Sequence, residues 1–245
     1  MIPLLALHGF TGSPKSWDFL PNPETLPRTT PVLVGHAGST AGSEVQTFED
    51  EVERLAALAT EYGSVHLVGY SLGARLALGI ALRYPERVAR LTLVSGHPGL
   101  ATEAERAQRR AADEHWCELL LTRGLTEFVA VWQDQPLWAT QSQLDAARLA
   151  QKRGERLSHE AVGLVHSLRC TGLGQMPNYA DHLQKLRVPV AVLAGELDTK
   201  FSALGRAITE RVAHAKLEIV PGAGHDLLLE RPEFVTEVIR RGNQT

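Results

Sequence analysis

The chain reads as an α/β protein: a mostly parallel, doubly wound sheet with a helical cap inserted into it. Two patterns carry that expectation. Short runs of continuous apolar, β-branched residues recur along the sequence, each followed by Gly, Ser, His or Pro. Apolarity without alternation marks strands buried on both faces, as in a parallel sheet. Amphipathic stretches of helical length lie between several of these runs, and such alternation implies right-handed crossovers.

In chain order, strands are expected at residues 4–7, 32–34, 65–68, 91–94, 190–193 and 217–220, and core helices at 48–62, 73–84, 203–213 and 232–240. The pair Tyr84-Pro85 ends the second helix, because proline disfavours helical backbone in the residue before it. From residue 100 to residue 179 the alternation stops. That stretch has helical periodicity, many Arg and Glu residues, no convincing strand, and three of the four tryptophans, Trp116, Trp132 and Trp138. About 80 residues is too long for one crossover. Residues 1–99 and 180–245 are therefore expected to form the core, and 100–179 a helical cap between the fourth and fifth strands.

Composition narrows the function classes. At 245 residues the chain can bury a full core. Its 44% hydrophobic and 22% charged content are ordinary for a soluble globular protein. A net charge of -3 gives no reason to expect nucleic acid or an anionic membrane as partner. No run approaches the length of a membrane span, and the N-terminus lacks the basic region of a signal peptide, so a cytoplasmic location is expected. Cys117 and Cys170 have neither metal nor redox spacing and read as buried reduced thiols. No metal and no organic cofactor is called for, and oligomeric state is not legible.

The chemistry centres on Gly69-Tyr70-Ser71-Leu72-Gly73, between a strand and a helix. So tight a turn needs glycine on both sides of Ser71 and lifts its hydroxyl clear of the sheet. An unassisted serine hydroxyl is a poor nucleophile or base, so a partner must take its proton. His225, in a Gly-rich loop after the last strand, is placed to do so. Asp198, with Glu196 and Asp226 as competitors, can fix the tautomer of His225 and stabilise its imidazolium. Two backbone N–H groups are candidates for an oxyanion hole: that of Leu72 at a helix N-terminus, and that of Phe10 in the loop His8-Gly9-Phe10-Thr11-Gly12.

G-x-S-x-G in strand–turn–helix context, with the order Ser71, Asp198, His225, resembles the α/β-hydrolase superfamily across the chain outside the cap. The usual place of the acid in that family favours Asp198. More specific runs are similar to the 2-succinyl-6-hydroxy-2,4-cyclohexadiene-1-carboxylate synthases of menaquinone biosynthesis, the MenH type. They are Gly69 through Arg75, Ser95-Gly96-His97-Pro98-Gly99-Leu100, Glu105 through Asp113, Trp132-Gln133-Asp134-Gln135-Pro136, and Gly195 through Phe201. The resemblance implies a lyase that expels pyruvate from a small polycarboxylate, with no cofactor. It implies that Arg75, Arg109 and Arg153 bind carboxylates, with Arg148 or Arg156 as substitutes for the last and Arg106 or Arg110 as competitors of Arg109. It also makes Trp132 an aromatic wall and Tyr70 and Lys200 further pocket contacts. Arginine suits the task because its planar fork meets a carboxylate bidentately.

The chain departs from the family at residues 34–39, where Val34 replaces a proline-like residue and Ala37 a glycine. It also begins at what resembles the third strand of the parent fold, so an outer antiparallel edge is expected to be missing. Two rival readings use the same residues: a carboxylesterase or C–C hydrolase acting on a small acidic substrate by acyl transfer, and a non-catalytic binding protein of the same fold. The complete triad argues against the second.

Overall fold

The computed structural model describes residues 2–38 and 42–244; Met1, Thr245 and residues 39–41, with Ser39 of the run noted above, lie outside it. Six strands form one all-parallel sheet: β1 (Leu4–Leu7), β2 (Arg28–Thr29), β3 (Val65–Tyr70), β4 (Val88–Val94), β5 (Val190–Gly195) and β6 (Ala215–Val220). Their order across the sheet is β2-β1-β3-β4-β5-β6. β1 and β3 are buried throughout, as their unbroken apolarity requires.

Two apolar layers sandwich the sheet. One includes α1 (Phe48–Ala59) and α2 (Leu72–Arg83), around Phe48, Leu55, Leu67 and Leu76. The other includes α8 (Pro232–Gln244) and the turn at Trp17, around Trp17, Val68, Leu193 and Val235. α6 (Thr199–Arg211) and the short α7 (Leu227–Glu230) complete the core.

The strand expected at residues 32–34 does not form; the strand beside β1 is the two-residue β2. The backbone donors of the apolar run go to side chains instead. Leu33 N–H donates to His8 Nε2 at 3.2 Å and Val34 N–H to Glu51 Oε1 at 3.0 Å. Both residues are buried, so their apolarity serves a core loop rather than a strand.

Between β4 and β5 lie α3 (Glu103–Gln133), α4 (Ala146–Leu157) and α5 (Ala161–Thr171), with no strand among the described residues. α3 begins with a capping box in which Thr102 and Glu105 satisfy each other's backbone N–H groups. It breaks at Gly124, whose φ of 79° is not helical. The insertion has its own apolar cluster, around Cys117, Leu120, Phe128 and Leu164. Cys117 and Cys170 are both buried and unpaired. Among the described residues no helix is long and apolar enough to cross a membrane.

Candidate active site

β3 delivers Ser71 to the C-terminal edge of the sheet, where ligands of open α/β sheets gather. Ser71 has φ 51° and ψ -105°, a strained backbone for a residue with a side chain. The turn is held by Ser71 N–H on the Val94 carbonyl at 2.9 Å. Its glycines are explained by close approach: a Cβ on Gly69 would sit 2.3 Å from the Gly73 oxygen, and one on Gly73 only 2.1 Å from the Leu7 oxygen.

His225 Nε2 lies 3.1 Å from Ser71 Oγ, and His225 Nδ1 lies 2.7 Å from Asp198 Oδ2. The other carboxylate oxygen, Asp198 Oδ1, accepts the N–H of Phe201. The competing acids are engaged elsewhere. Glu196 accepts the N–H of Gly222, and Asp226 caps α7 by accepting the N–H of Leu229. Ser95, at the end of β4, donates its hydroxyl to the His225 carbonyl at 2.8 Å and so ties the histidine loop to the sheet.

Phe10 and Leu72 flank Ser71 in the wall of a pocket of about 170 Å³. No carbonyl among the described residues takes either backbone N–H. The loop carrying Phe10 is pinned by Thr11 N–H donating to His36 Nε2 at 3.2 Å.

The pocket has an aromatic wall and a cationic end. Trp132 packs edge-on against Phe10 at 5.5 Å, and Trp138 reaches the ring of His225 at 5.6 Å. Arg75, Arg109 and Lys200 all line the pocket. Arg75 donates Nη1 to the Thr171 carbonyl at 2.8 Å, and Arg109 donates Nε to Asp113 at 2.8 Å. Burial, reinforced by Arg109, pulls the Arg75 guanidinium down to about 9. Burial pushes the Asp113 carboxyl up, against the opposing pull of Arg109. Asp113 is thus in contact with Arg109 alone and acts on Arg75 only through its field. Tyr70 also lines the pocket, but its buried hydroxyl has no hydrogen-bond partner among the described residues, and burial holds the phenol well above its usual range.

Arg153 is not in this pocket. It lines a separate groove beyond Trp138, together with Lys152 and Arg156. Arg156 is the buried member of α4, at 2% exposure, with its guanidinium 5.2 Å from the Trp138 ring and no hydrogen-bond partner for Nε among the described residues. No sharp motif covers α4, so the sequence offers no basis for choosing between cations three residues apart. Trp138, Phe201 and His97 line the pocket as well. The sequence signals for the last two were the D-x-K-F and S-G-H-P-G-L runs. Trp138 had none beyond belonging to a tryptophan-rich stretch.

Residues 4–238 match the alpha/beta hydrolase family model, and the chain belongs to that family. A Bacillus subtilis (strain 168) protein, provisionally named 2-succinyl-6-hydroxy-2,4-cyclohexadiene-1-carboxylate synthase, is 36% identical over 244 residues, covering 96% of this chain and 88% of its own. The Salmonella agona (strain SL483) protein of that name is 34% identical over 241 residues, covering 96% and 90%. Among solved structures, MenH from S. aureus superposes with a TM-score of 0.93 at 28% identity, covering 99% of this chain and 95% of that one. The resemblance read from the motifs is borne out by these relatives.

Proposed function

We propose that this chain is a 2-succinyl-6-hydroxy-2,4-cyclohexadiene-1-carboxylate synthase, a carbon–oxygen lyase. It eliminates pyruvate from 2-succinyl-5-enolpyruvyl-6-hydroxy-3-cyclohexene-1-carboxylate in menaquinone biosynthesis. The single observation that carries the reading is the pairing of a Ser71–His225–Asp198 array with a pocket end where Arg75, Arg109 and Lys200 converge. A neutral ester gives no use for three cations, whereas a substrate with several carboxylates does.

In this reading Ser71, polarised by His225, removes the proton α to the succinyl ketone. Asp198 keeps the imidazole oriented and stabilises its charged form. The N–H groups of Phe10 and Leu72 hold the enolate oxygen and stabilise charge as it develops. Electrons then move through the ring and break the bond to the enolpyruvyl oxygen, which leaves as the enolate of pyruvate and takes up one proton to replace the one removed. Arg75 and Arg109 grip carboxylates, Lys200 adds a third positive charge, and Trp132 and Tyr70 bound the ring. Residues 100–179 serve as the cap over the pocket. Arg153 has no place in this binding set. Arg156 acts only through Trp138, by fixing the wall from behind.

The test is incubation of the protein with the substrate while pyruvate release is followed, beside hydrolysis of a p-nitrophenyl ester. The synthase reading expects pyruvate release, and Arg75→Ala or Arg109→Ala should weaken productive binding by about 1.5–3 kcal/mol. Ester turnover without pyruvate release would favour acyl transfer instead.

A further inference from the structure

His97 belongs to the S-G-H-P-G-L run, yet the mechanism above gives it no part. It is 7% exposed and lines the pocket beside Arg75, Arg109 and Lys200. Its Nδ1 lies 3.0 Å from the backbone nitrogen of Gly99. A backbone N–H can only donate, so Nδ1 is the acceptor, and in a neutral ring the proton sits on Nε2. Burial keeps the ring neutral, pulling it down to about 3; Arg75, Lys200 and Arg109 act in the same direction, and Glu105 opposes them. Nε2 makes no hydrogen bond among the described residues and is not one of the sealed, unpartnered atoms of the interior. The pocket thus holds one neutral, direction-specific donor among its cations.

The neighbouring arginines leave that donor a task. Arg75 and Arg109 each commit one donor to the protein, to Thr171 and Asp113. A carboxylate has two oxygens with about four acceptor positions, and the donors left on the two forks lie in the planes of their guanidiniums, so a donor from another direction adds orientation rather than capacity. A fourth cation here would add repulsion to an end where burial and Arg109 already pull Arg75 down. A neutral N–H supplies that direction without the repulsion.

We propose that His97 is a specificity-determining residue whose Nε2–H donates to an oxygen of the substrate carboxylate held by Arg75 and Arg109. The ring is oriented for this by the Gly99 N–H on Nδ1. With Nδ1 occupied and Nε2 protonated, His97 is a donor only and takes no part as a base. The inference rests on the reading of the pocket as a site for an acidic substrate, not on which reaction follows.

The experiment uses the full chain labelled with 15N at histidine, with succinate as the probe. Long-range 1H–15N correlation should show the Nε2–H tautomer from pH 5 to pH 9. Saturating succinate should move Nε2 and its proton far more than Nδ1. His97→Ala should bind succinate about tenfold more weakly, the size of one hydrogen bond to a charged group. His97→Asn should recover most of the loss, because its amide offers an oxygen to the Gly99 N–H and an NH2 to the ligand. A proton on Nδ1, titration of the ring between pH 5 and 9, no response to succinate, or His97→Ala binding as tightly as wild type would each overturn the proposal. If His97→Ala does not fold, the tautomer and the His97→Asn titration still decide. A wild type that binds succinate in this manner but releases no pyruvate would remove the synthase reading and leave His97 in place.

Discussion

Three carboxylates compete in the sequence for the partner of His225, and their other bonds separate them. Asp198 spends one oxygen on His225 and the other on the N–H of Phe201, so it is oriented before any substrate arrives. Glu196 closes a surface turn through Gly222. Asp198→Asn should lower kcat for pyruvate release by about 10³–10⁴-fold, because an amide holds the wrong tautomer of the imidazole, with KM changed little. Glu196→Gln should stay within about twofold, its loss being one turn hydrogen bond near the surface. Steady-state kinetics on both variants, with circular dichroism to confirm folding, checks this, and the reverse ranking would reassign the acid. The contact of Ser71, His225 and Asp198 was legible because each follows a strand, with two other carboxylates left in competition for His225. The position of Arg153 outside the pocket was not. On α4 only Arg156 is buried, and a buried cation leaves no periodic mark that distinguishes it from its solvated neighbours.

Strands that cross the middle of the sheet announce themselves, since burial on both faces demands apolar residues at every position. β2 lacks that signal: it has two residues, Arg28 and Thr29, both half-buried. The run at residues 32–34 mimicked a strand because a buried loop meets the same demand for apolarity, with His8 and Glu51 supplying acceptors that the sequence does not advertise. Helices separate just as clearly by what their glycines touch. Gly163 on α5 would place a Cβ 2.5 Å from the Gly35 oxygen, so the insertion meets the core there backbone to backbone. On α4, a Cβ at Gly154 would meet nothing within 4 Å. Gly154→Ala should therefore stabilise the protein by about 0.5–1 kcal/mol, through helix propensity and a less free unfolded chain. Urea denaturation gives the answer, and a destabilised variant would mean that α4 contributes strain rather than order.

Taken together, the buried histidines make stability depend on acidity. Burial is the leading cause that lowers His8, His36, His66, His97 and His159, the first to about 3 and His66 to about 4. Each is neutral in the fold and gains a proton when unfolded near its ordinary value of about 6.5. Their contribution is thus whole above that pH and is lost as the pH falls towards the folded values, each at up to about 1.4 kcal/mol per pH unit. Asp113 and Glu230, raised by burial, act in the opposite sense, but mainly at the acid end of that window, nearer their own unfolded values. Melting temperature should fall steeply from pH 6.5 to pH 4.5; a flat profile there would contradict the neutral state of these rings. The two thiols offer a different kind of readout. Both sit in the insertion, Cys117 on α3 and Cys170 on α5, and the rest of the chain has none. Burial pushes the Cys117 thiol up to about 11 and raises Cys170 as well, so an alkylating reagent in native buffer should react only when that region opens. Labelling faster than global unfolding would show the insertion opening while the sheet stays folded, and labelling at the global rate would show the two melting as one. The chain thereby carries a chemical clock for the independence of its own insertion, one that needs no engineered cysteine to be read.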